Sequence, residues 1–249
     1  VVALTSSPAR VAALRAQGVT PVVGNLDAPA SLQRLAGWAT RVLHLAPPPL
    51  QGSTDPRTLA LNQMLMRRSA PRSVVYGSTS GVYGDCAGAW VDENRKVNPV
   101  TPRAQRRVDA EARVRHLGRL RSSTVRVSVL RIPGIYAPDR EGGTPRDRLL
   151  RGTPVLVRED DVFTNHIHAD DLARACQLAL WRGKPQRVVN VNDDSQMLMG
   201  DYFDMAAGLY GLAKPTRISR AQAQSELPAM QLSFMSESRR MVNTRMKRE

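Results

Sequence analysis

The chain has 249 residues and a mass of 27.4 kDa, enough for a sizeable core and too much for a miniprotein scaffold. Hydrophobic residues make up 42% and charged residues 23%, with no Gly-x-y period, low-complexity tract or apolar run near the ~20 residues of a membrane span, which predicts a soluble globular protein with no membrane partner. The net charge of +14 points toward polyanions, but only four basic residues are lysine, the arginines are scattered, and aromatics are 4%, so the pattern argues against a nucleic-acid partner.

Apolar runs and helical stretches alternate from the start. Val1 to Leu4 reads as a short buried strand, Thr5-Ser6-Ser7-Pro8 as a turn, and Val11 and Leu14 as one face of a helix that Gly18 ends. Val19 to Val23 is a second strand, Asn25-Leu26-Asp27 a loop, and Ala30 to Trp38 a helix. Arg41 to Leu45 is a third strand, closed by Ala46 and three prolines. A helix around Pro56 to Arg68 leads to a fourth strand, Ser73 to Tyr76, which ends in Gly77-Ser78-Thr79-Ser80-Gly81. A long helix over Pro102 to Leu117 precedes a strand over Thr124 to Leu130. Then come Gly/Pro-rich loops over Ile132 to Pro138 and Glu141 to Pro145, a short helix to Leu150, helices over Asp170 to Trp181 and Asp201 to Tyr210, a strand over Val188 to Val191, and a tail helical in propensity from Ser236. This order implies an α/β fold: a doubly wound parallel-sheet (Rossmann-type) domain at 1–135 and 166–192, with a small discontinuous substrate domain at 136–165 and 193–249.

Ligands of such sheets sit beyond the strand C-termini. A Gly-x-Gly-x-x-Gly turn, whose glycines let backbone approach a pyrophosphate, is absent, and Val1 reads as the second strand of its unit, so the first βα unit is expected to be missing. At the end of the first strand here, Thr5, Ser6 and Ser7 with Arg10 offer hydroxyls and a guanidinium where a carboxylate would repel a 2′-phosphate, which favours NADP over NAD. The same residues also read as an ordinary helix cap with a solvent-facing arginine.

Five segments occur in a telling order: Leu43-His44-Leu45-Ala46; Val74 through Gly84 with its Gly-Ser-Thr-Ser-Gly-Val-Tyr-Gly run; Leu130 through Tyr136; Asn165 through Asp171; and Val189-Asn190-Val191. Together they resemble the extended short-chain dehydrogenase/reductases, the NAD-dependent epimerase/dehydratase family. That resemblance implies a nicotinamide cofactor, NAD(P), and hydride transfer on a small-molecule substrate such as a sugar nucleotide. It assigns substrate hydrogen bonding to Thr79 with Ser78 beside it. It assigns cofactor contacts to Thr5, Ser6, Ser7 and Arg10 at the adenosine end, Asn25 and Leu26 near the adenine, Leu45, Ala46 and Pro47 under the pyrophosphate, Arg107 at the nicotinamide ribose, and Pro133, Gly134 and Ile135 beside the nicotinamide.

The family's Tyr-x-x-x-Lys belongs on the helix that starts at Pro102, and the matching positions here are Arg103 and Arg107. Arginine is not deprotonated near neutral pH, so Arg103 cannot replace a tyrosine acid/base, although it can clamp a phosphate or carboxylate. The chain therefore resembles an atypical member: an oxidoreductase or epimerase with altered chemistry or, alternatively, a non-catalytic NAD(P)-binding sensor or scaffold. Tyr83 and Tyr136 are candidate replacement acids that also read as structural residues. A homodimer is compatible with the family, though the arginines of the Pro102 helix count against close helix packing.

Two other constellations lose to simpler readings. His166-Ile167-His168-Ala169-Asp170-Asp171 mimics a zinc loop but no histidine follows it, so no metal is expected. Gly77 to Gly81 mimics a nucleophile elbow but has threonine at its centre. Cys86 and Cys176, 90 positions apart, cannot form a disulfide framework and fit a reducing compartment. The opening VVALTSSPAR lacks signal-peptide features, so the cytoplasm is expected.

Overall fold

In the computed structural model, which describes residues 1–120, 124–140 and 142–249, the elements run in the following order. They are β1 (Val2–Thr5), α1 (Val11–Ala16), β2 (Thr20–Val23), β3 (Arg41–His44), α2 (Pro56–Leu65), β4 (Ser73–Thr79), β5 (Trp90–Val91), α3 (Pro102–Leu117), β6 (Arg126–Ile132) and β7 (Gly134–Tyr136). There follow α4 (Arg146–Leu150), β8 (Val155–Leu156), β9 (Phe163–Thr164), β10 (His166–His168), α5 (Ala169–Arg182), β11 (Arg187–Asn190) and β12 (Met197–Leu198). The remainder is α6 (Met199–Tyr210), β13 (Arg217–Ile218), α7 (Arg220–Glu226), α8 (Ala229–Met235), β14 (Arg240–Met241) and α9 (Thr244–Arg248). No helix among the described residues is long and apolar enough to cross a membrane.

The main sheet has strand order β11-β6-β4-β3, and β1 and β2 form a separate parallel pair. By its internal contacts the chain divides into two units: Val1–Ser78, Thr101–Val129 and Ala179–Arg187; and Thr79–Val100, Leu130–Leu178 and Val188–Glu249. In the first unit β3 pairs with β4 in parallel, from Arg41 opposite Ser73 to His44 opposite Tyr76. Residues 73–78 of β4 are all buried, as expected of a parallel strand covered on both faces. Its two long helices start where sequence chemistry dictates. The Asp55 carboxylate accepts the Thr58 N–H at 3.1 Å with Pro56 at the first helical position of α2, and the Thr101 hydroxyl accepts the Ala104 N–H at 3.2 Å ahead of α3.

In the second unit Phe203, Ala206 and Ala207 of α6 pack against Val155, Leu156 and Met235 in one apolar cluster. Gly211, at φ 64°, ends α6 in the left-handed conformation that glycine adopts freely. The chain end is sewn in by backbone and amide bonds. β14 pairs in parallel with β5, Asn165 donates to the Arg239 carbonyl and accepts from the Met241 N–H, and Asn190 Nδ2 donates to the carbonyls of Val91 and Val242.

Several expectations need correction. The helix expected over Ala30 to Trp38 is a 3-10 segment at Pro29–Leu35, because the Ser31 hydroxyl ties its first turn back to the Asn25 and Ala28 carbonyls. The loop expected at 166–171 begins as β10, which pairs in parallel with β7 inside the other expected loop. The tail is helical only at Thr244–Arg248, since Arg240–Met241 is recruited as a strand. The expected buried first strand is not buried: none of the four residues of β1 is, and Val2 is 47% exposed.

Candidate functional site

In the first unit the loops that follow β1, β2 and β3 contain the residues assigned to the adenosine half of a cofactor. Thr5 accepts the Ser7 N–H at 3.2 Å, a hydroxyl turn that leaves Ser6 and Arg10 exposed. Asn25 Oδ1 accepts the Asp27 N–H at 2.9 Å, and the Ser31 hydroxyl accepts the Asn25 N–H at 2.8 Å, so that loop is braced from within. A residue not singled out in the sequence then joins two of the loops. Arg57, in the first turn of α2, grips Asp27 through two 2.6 Å bonds and donates from Nη1 to the Pro47 carbonyl at 3.1 Å. This guanidinium holds the Asp27 carboxyl below the usual range. The bracket brings the Asn25-Leu26 loop and the Ala46-Pro47 loop together. The exposed side chains of Leu45 and Pro47 and the half-buried Ala46 lie on that bracketed loop.

Beneath these loops, at the ends of β3 and β4, lies a buried polar chain. The Thr58 hydroxyl donates its single proton to Asp55 Oδ2 at 2.6 Å and lies 2.8 Å from His44 Nε2. His44 must therefore be the donor in that second bond, which sets the Nε2–H tautomer. Burial pushes the His44 pKa down to about 4, more than the nearby Asp55 raises it, so the ring is neutral at physiological pH. Its ring sits 5.2 Å from that of Tyr76, whose hydroxyl burial pushes up to about 12. Asp55 is in turn linked through its N–H to Asp109 Oδ2 at 2.6 Å, and Arg113 pairs with that same oxygen at 2.6 Å.

Arg103 and Arg107 lie one turn apart on α3. Arg103 is exposed, while Arg107 is half-buried and turned inward: Nη1 donates to the Tyr76 hydroxyl at 3.0 Å and the Gly77 carbonyl at 2.9 Å. The Nη2 and Nε protons take no part in these two bonds. Ser78 is buried and donates to Glu111 Oε1 at 2.5 Å. The chain's one tyrosine followed by lysine at the fourth position is Tyr210 with Lys214, and Gly211 ends α6 between them, so they do not share a helix face.

The second unit carries Thr79 and the 133–135 segment. Thr79 is half-buried, ends β4, and accepts the Gly81 N–H at 3.3 Å, capping a 3-10 turn at Ser80–Tyr83. Gly84 closes that turn at φ 66°, and a Cβ there would stand 2.4 Å from the Asn98 carbonyl oxygen, so only glycine fits. Glu237 approaches the same turn: its Oε2 would lie 3.9 Å from a Cβ on Gly81. Arg239, buried, binds Glu237 and donates to the Gly84 carbonyl at 2.9 Å. Neither residue was assigned a site role from the sequence, although Arg239 lies in the stretch Ser238 to Asn243 that resembles the family's closing segment. Gly134 starts β7 with Pro133 before it and Ile135 after it, and the Gly134 N–H donates to the Asn165 carbonyl at 3.2 Å. Tyr83 is buried and donates to Asn190 Oδ1 at 2.7 Å, a structural use of its hydroxyl. Tyr136 lies edge-on to His168 at 5.2 Å, its hydroxyl pushed up first by burial and then by Asp193 and Asp171. His168 Nδ1 accepts the Asp170 N–H at 3.2 Å, consistent with the helix-start reading of that stretch.

Comparison with known proteins bears on the whole arrangement. The model of the NAD dependent epimerase/dehydratase family matches residues 1–192. A solved structure of a functionally unknown conserved protein from Silicibacter pomeroyi is 30% identical, with TM-score 0.79 over 100% of this chain and 82% of that one. The dTDP-glucose 4,6-dehydratase DesIV of Streptomyces venezuelae, solved with NAD, shares the fold at 18% identity and TM-score 0.76, over 100% of this chain and 80% of that one. A Methanocaldococcus jannaschii protein named "Putative UDP-glucose 4-epimerase" is 24% identical over 57% of this chain, which spans about half (48%) of that relative's length. On the family match and the 30% identical structure together, the chain belongs to the NAD dependent epimerase/dehydratase family.

Proposed function

We propose that this protein binds NAD(P) and acts as an oxidoreductase or epimerase on a sugar nucleotide or a similar polar carbonyl or hydroxyl compound. The observation that carries the reading is the Arg57 bracket, which holds together the two loops assigned to the adenine and the pyrophosphate. The donor set at the end of β1 fits a dinucleotide. Thr5, Ser6, Ser7 and exposed Arg10 offer hydroxyls and a cation with no carboxylate among them, which supports NADP over NAD. When bound, the cofactor supplies hydride transfer. Arg107, anchored on Tyr76 and Gly77, would offer its remaining guanidinium protons to the nicotinamide ribose, and Pro133, Gly134 and Ile135 are the residues assigned to the nicotinamide. On the substrate side Thr79 orients the reacting oxygen, Ser78 holds the strand end through Glu111, and exposed Arg103 clamps a phosphate. Because Arg103 keeps its proton, it binds charge and does not exchange protons with substrate. The segments 136–165 and 193–249 shape the substrate pocket.

Calorimetric titration with NAD, NADP and their reduced forms tests the reading. Micromolar binding is expected, tighter for the 2′-phosphorylated forms, with UDP-glucose and dTDP-glucose then screened for absorbance change at the nicotinamide band. Failure to bind any of the four nucleotides overturns the proposal.

A further inference from the structure

Within the second unit a hydrogen-bond donor and an acceptor face the same small space. A Cβ built on Gly81 would lie 3.8 Å from the Thr79 hydroxyl oxygen and 3.9 Å from Glu237 Oε2, so both groups border the place where Gly81 has no side chain. The Thr79 hydroxyl accepts the Gly81 N–H at 3.3 Å and commits its own proton to no bond among the described residues, which leaves that proton to donate. An ionised Glu237 is acceptor-only. Its Oε2 takes both Arg239 bonds, and its Oε1 takes none among the described residues. The Glu237 side chain is 12% exposed and is held at both ends. Arg239, itself tied to the Gly84 carbonyl, grips the carboxylate. On the backbone side the Ser238 N–H binds Asp85 Oδ1 at 2.8 Å, and the Ser238 carbonyl accepts the N–H groups of Cys86 and Gly88, each at 3.0 Å. Groups fixed in this way can discriminate between ligands, because reorienting them to suit a poor one is costly.

We infer that Thr79 and Glu237 form a hydroxyl-recognition subsite over Gly81, in which Glu237 selects a substrate that presents an uncharged hydroxyl. A hydroxyl accepts and donates at once, so it satisfies the Thr79 proton and the Glu237 oxygen together. A carboxylate in its place accepts from Thr79 but meets a second carboxylate, and a methylene leaves both groups unpaired. Glycine at 81 supplies the room. The inference rests on the substrate half of the proposed function and narrows it: the ring offered to this unit is a neutral sugar and not a sugar acid.

Calorimetric titration of the full chain in the presence of NADP tests it, with UDP, UDP-glucose and UDP-glucuronate as the probes. UDP carries no sugar and reports on the rest of the site. In the parent, UDP-glucose is expected to bind about 10-fold or more tighter than UDP-glucuronate. Glu237→Gln keeps an acceptor oxygen but removes the charge, and should shift that ratio by about 10-fold toward the acid. Gly81→Ala brings its methyl no closer than 3.7 Å to any neighbour, so the circular dichroism spectrum should be unchanged, yet the methyl occupies the space. It should weaken UDP-glucose about 10-fold and leave UDP within about 2-fold. The inference is overturned if Glu237→Gln leaves the ratio of the two sugars unchanged, or if either variant weakens UDP and UDP-glucose alike, the mark of a merely structural role. Failure of the parent to bind UDP-glucose overturns it as well, while NADP binding in the same cell leaves the cofactor half of the proposed function standing. Failure to bind any nicotinamide nucleotide refutes that function, and UDP-glucose binding with the expected response of both variants then supports the subsite by itself.

Discussion

β1 and most of β4 belong to one unit and both contain apolar, β-forming residues, yet their environments are opposite. Residues 73–78 of β4 are all buried, and the Tyr76 ring lies against His44, from which a polar chain runs through Thr58 to Asp55. Among the described residues β1 has one neighbouring strand and no buried residue, and the hydroxyl turn at its end leaves Ser6 exposed. A strand's burial follows from the elements on either side of it, not from its own composition. The two ends accordingly suit different tasks: the β4 end is preorganised, and the β1 end is accessible to a ligand.

The sharpest way to break this contrast is to put a charge in each strand. Val75→Asp places an unpaired carboxylate at a position with 0% exposure and is expected to cost more than about 4 kcal/mol, whereas Val2→Asp should stay within about 1 kcal/mol. Urea unfolding followed by circular dichroism reads both, and equal losses would erase the distinction. The next effect is pH dependence. His44 is held at about 4 in the folded chain against 6.5 unfolded, so its stabilising contribution is complete above pH 6.5 and is lost as pH falls toward 4. That amounts to up to about 3 kcal/mol. Subtracting the profile of His44→Gln from that of the parent should expose this slope, and parallel profiles would refute it.

A smaller effect is expected from Thr58→Val, which removes the hydroxyl that bridges His44 and Asp55 while keeping the side chain's shape. It should cost about 2 kcal/mol, against a few tenths for Thr5→Val in the open turn, both read from urea midpoints. The smallest effect on stability belongs to Arg57→Ala, below about 1 kcal/mol because its partner Asp27 is 48% exposed. Its consequence is in binding, where release of both loops should weaken nucleotide affinity about 3- to 10-fold. Unchanged affinity would show that the bracket holds loops the cofactor does not touch.

The regions also differ in how much the sequence revealed. The long helix at Pro102–Leu117 is legible to the residue, because proline and a threonine cap mark its start, although its buried face mixes Ala104, Ala110, Val114 and Leu117 with Arg106 and Glu111. β4 was legible from its Val-Val-Tyr run, but its glycine, read as the end of the strand, lies inside it, since the strand runs on to Thr79. The short strands β7 and β10 were not, since three residues leave no periodicity and the pairing that defines them lies between segments about thirty positions apart. In the candidate site, hydroxyls and glycines after strands could be assigned by position. Arg57 and Glu237 could not, because one of 32 arginines and one of many carboxylates gain meaning only from what the fold sets beside them. Tyr76 likewise read as a strand residue until Arg107 and His44 were found against it.

The pairing of β14 with β5 constrains the order of events during synthesis. Arg240 bonds the Gly88 carbonyl across 152 positions, and the buried amides of Asn165 and Asn190 wait on the same terminal stretch for their partners. Such high contact order is slow to close, and on the ribosome the second unit stays unlatched until residues 239–242 emerge. The first unit ends its contributions at Arg187 and has every segment in hand some fifty residues sooner. Vectorial synthesis therefore gives the nascent chain a folded half and an exposed half for that interval, and chaperones and proteases would meet the second unit first.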